Sequence, residues 1–163
     1  VRLSNLIGGR KALLLFYRGG WCPFCNEQLA AIARDYQEFQ ELNATIVAVS
    51  GEEAEKGKTL LQKLHLPFVL LSDASFEAID KYGVRNLIVP DALKKRGISP
   101  LPKPSAFVID GIGIVRYKYV GKNAPDRPKN EDLLRALREA DKPLENSSKV
   151  DELDACELPG KSY

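Results

Sequence analysis

Two of the three cysteines, Cys22 and Cys25, stand as C-x-x-C in the run F-Y-R-G-G-W-C-P-F-C at residues 16–25. Thiols at this spacing either form half of a zinc site or cycle between dithiol and disulfide. A tetrahedral zinc site needs two further Cys or His ligands. The chain supplies only His65, at a leucine-flanked helix end, and Cys156, in a polar stretch near the C-terminus. The residues therefore favour thiol redox chemistry, with no metal and no cofactor implied. A purely structural C-x-x-C is the bland alternative.

The elements that must position this pair can be read from the surrounding pattern. Residues 11–17 (KALLLFY) form an apolar run with glycines on either side, as a strand buried on both faces does. From Pro23, Cys25, Leu29, Ile32, Tyr36 and Phe39 recur at alternating steps of four and three, predicting one helix over residues 23–42. Pro23 suits its first turn, where a missing N–H costs nothing. The dithiol thus falls where a buried strand turns into a helix. There the free N–H groups and the helix dipole favour a thiolate, and Arg18 adds a cation. Cys25 continues the buried stripe while Cys22 precedes the helix, so Cys22 is expected to be the more exposed, attacking thiol and Cys25 the resolving one.

Further along, residues 45–50 and 68–71 read as strands, and residues 52–64 and 74–82 as helices. Residues 84–103 read as an irregular insertion rich in Pro, Gly and basic side chains. Residues 105–109 and 114–120 read as a hairpin around Asp110-Gly111-Ile112-Gly113, and a closing helix is expected from an N-cap at Asn130. The order β-α-β-α-β-α, hairpin, helix predicts an α/β fold in three layers: a central mixed sheet with helices on both faces. Residues 1–143 are expected to form one redox domain and residues 144–163 a polar C-terminal tail.

Composition excludes several other classes. With 163 residues, 44% hydrophobic and 28% charged, the chain matches a soluble globular domain, and a net charge of +2 gives no footprint for nucleic acid. The longest apolar run, residues 12–17, is far short of the roughly 18–20 residues of a membrane span. Residues 1–9 lack a secretory-signal pattern, so a cytoplasmic setting is expected, although the first residue is Val and upstream residues are expected too. Lys94-Lys95-Arg96 reads as a solvated loop, and His65 as a group at a helix C-terminus.

The segments FYRGGWCPFCNEQL at residues 16–29, LLSD at 70–73 and LPKPSAFVIDGIGIVRYKYVG at 101–121 resemble the thioredoxin superfamily. Within it they resemble the peroxiredoxin-like group of alkyl hydroperoxide reductase/thiol-specific antioxidant proteins. The resemblance covers most of residues 10–140 and implies a thioredoxin-like fold. It also implies an antioxidant, redox-homeostasis role, with thioredoxin, glutaredoxin or glutathione as reductant; C-P-F-C is close to the glutaredoxin form of the motif. It places a cis-proline beside the dithiol at Pro104, and Trp21 on the substrate surface. Counted from Phe16, however, the peroxidatic cysteine of peroxiredoxins falls on Cys25, with Cys22 where they carry Thr. Arg18 and Pro104 stand where they carry Pro and Arg.

Two substrates therefore compete: a hydroperoxide, reduced through a sulfenic acid, and a protein or small-molecule disulfide. The family resemblance puts the first ahead and the residues the second. A different class of function is a non-catalytic redox sensor or binding module using the disulfide as a switch. Cys156 reads as an ordinary cysteine, with a resolving role as its alternative.

Overall fold

The computed structural model describes residues 2–142. Strand β1 (Lys11–Phe16) is buried along its whole length, as its unbroken apolar sequence requires. It lies at the centre of a five-stranded sheet of order β3-β2-β1-β4-β5. Parallel partners on one side are β2 (Ala44–Ser50) and, beyond it, β3 (Val69–Ser72). On the other side β4 (Ser105–Ile109) runs antiparallel to β1 and pairs with β5 (Val115–Val120) in the hairpin expected around Asp110.

Alternate residues of the central strands feed two separate cores. Leu13, Leu15 and Tyr17 pack with α2 (Pro23–Arg34), α3 (Tyr36–Glu41), α4 (Ala54–Leu64) and α7 (Asn130–Glu139). Ala12, Leu14 and Phe16 pack with α1 (Leu3–Ile7) and α5 (Glu77–Lys81) on the opposite face. Helices on both faces of a mixed sheet are what the sequence order predicts.

Several local expectations change. The helix over residues 23–42 is broken at Asp35, which caps both α2 and α3 and accepts a hydrogen bond from Asn130 Nδ2 at 2.6 Å. Asp competes for backbone donors and favours helix ends, so the stripe continues while the helix does not. Asn130 is accordingly the first residue of α7 and Lys129 its cap. The helix expected at residues 74–82 is only Glu77–Lys81, and the irregular segment 84–103 contains the short α6 (Asp91–Lys94). Helix α1 was not read from the sequence. Its five residues are too few for a periodicity signal, and it is closed by Gly8 at a left-handed φ of 54°. The tail proposed at residues 144–163, with Cys156, lies outside the described residues.

Candidate active site

Strand β1 ends at Phe16, and Tyr17 still donates its N–H to Val49 O at 2.9 Å, so the chain reaches the dithiol from the fixed end of the central strand. Residues 19–22 make a turn closed by Cys22 N–H to Gly19 O at 3.1 Å. Gly19 has a φ of 147°, and a Cβ there would stand 2.4 Å from Trp21 Nε1, so only glycine fits. Two side chains hold the turn from outside. Glu52 Oε2 accepts the Gly20 N–H at 2.7 Å, and Asn26 Nδ2 donates to Gly20 O at 3.0 Å. Cys22 is then the N-cap of α2, with Pro23 at the first helical position as the sequence predicts.

Cys25 lies one turn in, on the buried stripe with Leu29 and Ile32. Both cysteines are free thiols. Both are also fully buried, each at 0% exposure, which corrects the expectation that Cys22 is the exposed one. The cover comes from tertiary packing: the Arg18 guanidinium lies 5.1 Å from the centre of the Trp21 ring while its Nη1 stands 3.8 Å from Cys22 Sγ. One cation therefore bridges the indole and the sulfur.

The two sulfurs differ in charge preference. Cys22 is lowered from an ordinary thiol value of 9.0 to about 5. The largest cause is a hydrogen bond from the Cys25 side chain; burial opposes the shift, and the Cys25 backbone N–H, Arg18 and Arg127 assist it. Cys25 is pushed up, first by burial and then by its hydrogen bond to Cys22, with Arg127 opposing. Yet Cys25 Sγ also accepts from Arg127 Nη2 at 3.1 Å and from the Arg18 N–H at 3.3 Å. These facts describe a pair that holds one proton. The negative charge rests on Cys22 while both are reduced, and donors stand ready at Cys25 for the moment Cys22 loses that charge.

Arg127 is the residue that sequence reasoning missed. It sits in the loop between β5 and α7, oriented by Ala124 O at 2.9 Å and by Gln28 Oε1. Its only signal in sequence is an Arg enclosed by Pro125 and Pro128. Glu52 and Asn26 were missed as well, because neither carries a motif. Pro104 stands next to β4 as expected, but its peptide bond is trans; the cis bond among the described residues is Ser99-Pro100. Around Pro104 the backbone runs extended into β4, with Lys103 N–H bonded to Val84 O at 2.7 Å and Pro104 O accepting from Gly121 N–H at 2.8 Å. Pro104 and Arg18 nonetheless line one groove. His65 caps α4 in a left-handed conformation. Among the described residues, no three His, Cys, Asp or Glu side chains stand together as a metal-binding group.

Comparison with solved structures defines the class first. Peroxidoxin BcpB from Mycobacterium tuberculosis superposes with a TM-score of 0.71 at 24% identity, covering 85% of this chain and 84% of that one. Peroxiredoxin Q from Xanthomonas campestris does so with a TM-score of 0.67 at 18% identity, covering 80% and 78%. The architecture is thus the thioredoxin-like fold of peroxiredoxins. In sequence, chloroplastic peroxiredoxin Q from Triticum aestivum is 30% identical over 125 residues, 77% of this chain and 54% of that protein. Its counterpart from Sedum lineare is also 30% identical, over 77% of this chain and 62% of that protein. The chain spans little more than half the length of such relatives. The AhpC/TSA family pattern matches residues 1–118, and the chain belongs to that family.

Proposed function

We propose that this protein is a thiol-dependent oxidoreductase that reduces hydroperoxides through a Cys22–Cys25 dithiol. The observation that carries the reading is Cys22 at the N-cap of α2 with Arg18 Nη1 3.8 Å from its sulfur, and Cys25 one turn in with Arg127 Nη2 3.1 Å from its own. Cys22 Sγ attacks the terminal peroxide oxygen; an S–O bond forms and the O–O bond breaks. Arg18 stands beside the sulfur to offset charge developing on the peroxide. The leaving alkoxide takes the Cys25 proton and departs as the alcohol. Cys25 is then a thiolate, held by Arg127 and the Arg18 N–H. It attacks the sulfur of the Cys22 sulfenic acid, the S–O bond breaks, the disulfide forms, and the departing hydroxide takes a proton from solvent to become water.

A disulfide substrate is the second reading. It is favoured by the presence of Cys22, and not a hydroxyl residue, at the helix cap, because a dithiol at a helix N-terminus resolves a mixed disulfide without outside help. Thioredoxin, glutaredoxin and glutathione are the candidate reductants. The cytoplasmic setting belongs to the same proposal; the plant relatives are chloroplastic by name, and cell fractionation decides between the two.

Wild type, Cys22→Ser and Cys25→Ser, assayed with a hydroperoxide and with a disulfide, test the assignment. Cys22→Ser is expected to lose turnover with both substrates. Cys25→Ser is expected to give a single turnover that stops at the sulfenic acid or mixed disulfide. Full activity in Cys22→Ser transfers attack to Cys25. A wild type inert toward both substrates leaves the redox-sensor reading.

A further inference from the structure

The Arg127 guanidinium reaches Cys25 from the loop between β5 and α7, and a long side chain on a loop keeps one geometry only where the loop itself is held. Its donors meet Ala124 O, Gln28 Oε1 and Cys25 Sγ. Of these acceptors the sulfur is the one that takes up a full negative charge during the reaction. Ala124 lies in the same loop as Arg127, so the backbone that carries the guanidinium needs its anchor elsewhere.

That anchor is the preceding residue, Asp126. One of its carboxylate oxygens accepts from Tyr119 Oη and the other from the Lys122 N–H at 2.8 Å, while its own N–H donates to Asn123 Oδ1 at 3.1 Å. Its carbonyl oxygen lies 2.3 Å from where a Cβ on Gly121 would stand, so the loop folds back on the end of β5 at a distance that requires glycine. Lys122 and Asn123 are loop residues themselves, and of these contacts the one to Tyr119 ties Asp126 to the sheet. Tyr119 in β5 stands opposite Ala106 in β4, which stands opposite Leu15 in β1, and all three pack on the face that carries Cys22 and Cys25. Pro128 completes the arrangement, because a residue before proline is confined to extended backbone. With Asp126 fixed, Arg127 keeps little freedom of its own.

We propose that Tyr119 is a positioning residue for disulfide formation: through Asp126 it holds Arg127 where the guanidinium meets the Cys25 sulfur. The inference rests on the dithiol reading above and adds a residue that touches neither sulfur, committed to one step. Cys25 takes up charge only after Cys22 has been oxidised, so Tyr119 serves the second step and not the attack on peroxide, for which Arg18 stands at Cys22. Its bond to Asp126 is of the stronger, charge-assisted kind. Tyr119→Phe removes that bond while keeping the ring that packs against the core.

The test mixes reduced protein with one equivalent of hydroperoxide and follows two rates by rapid quench, the appearance of the Cys22 sulfenic acid and that of the Cys22–Cys25 disulfide. Tyr119→Phe is expected to slow the second at least about threefold and to leave the first within about twofold of wild type. Asp126→Ala, which removes the same bond from its other side, is expected to slow the same step. Because both act through Arg127, Tyr119→Phe added to Arg127→Met should leave the rate of Arg127→Met unchanged within about twofold. A wild-type rate of disulfide formation in Tyr119→Phe and Asp126→Ala overturns the proposal. So does an equal slowing of both steps, which is general damage, or a double variant in which the two effects multiply. Disulfide formation at the wild-type rate in Arg127→Met also overturns it, because Tyr119 then has no cation to act through, and leaves the dithiol reading standing. A wild type that consumes peroxide with no Cys22–Cys25 disulfide fails the dithiol reading, and the proposal with it.

Discussion

Two sulfurs share one proton between two arginines at the head of α2, and the separate duties of the arginines follow from where each stands. Arg18 reaches Cys22, the sulfur that carries charge in the reduced protein, and Arg127 reaches Cys25, which carries it only after Cys22 has reacted. Removing each cation should therefore damage a different step. Arg127→Met is expected to slow formation of the disulfide by about 10- to 100-fold, since a hydrogen bond to a charged group contributes about 1.5–3 kcal/mol. Rapid-quench trapping of the sulfenic acid on Cys22 should show it accumulating in that variant. Arg18→Ala is expected to act earlier, through the thiolate itself. With Cys22 lowered to about 5, alkylation of the reduced protein should rise as pH climbs through about 5 and then level off. An unperturbed thiol would rise only through about 9.0. Loss of the Arg18 cation favours the neutral thiol, so the midpoint should move upward, which a pH series of iodoacetamide rates reads directly.

The element that converts these side chains into a site is the turn at residues 19–22, set between the end of β1 and the start of α2. It is clamped by Glu52 from beyond β2 and by Asn26 from within α2, and Gly19 leaves room for Trp21. Gly19→Ala should displace Trp21 and uncover Cys22. The expected result is faster alkylation of Cys22 together with slower peroxide turnover, measured on the same preparation. A parallel slowing of both would show that the turn has collapsed over the sulfur. The strand, the helix start and the C-x-x-C between them were legible in sequence because all their signals are local: an apolar run, a step of three and four, a proline at N1. The cover over Cys22 was not legible. It depends on Arg18 meeting an indole ring, and helical spacing alone carries no information about that contact. Arg127 lies 102 residues from Cys25 and Glu52 lies 32 from Gly20, so no window along the chain connects them. The break at Asp35 was hidden for the converse reason, since the apolar stripe runs on through Tyr36 and Phe39 after the helix has ended.

For the molecule as a whole, the sheet order places β1 between β2 and β4, so the strand that delivers the dithiol has a hydrogen-bonded neighbour on each side and a packed core on each face. The family membership fixes this frame, while Arg18, Cys22 and Pro104 are the positions at which the resemblance implied Pro, Thr and Arg. Pro104 carries no guanidinium and its bond is trans, and the side-chain cation at Cys25 comes instead from Arg127 in the loop between β5 and α7. The central claim is that Cys22 and Cys25 form one redox couple during turnover. Peptide mapping of the reduced protein after one equivalent of hydroperoxide tests it most directly. The account requires a Cys22–Cys25 disulfide formed in step with peroxide loss, and absent when either cysteine is Ser. Peroxide consumed with Cys22 and Cys25 still unlinked would contradict it.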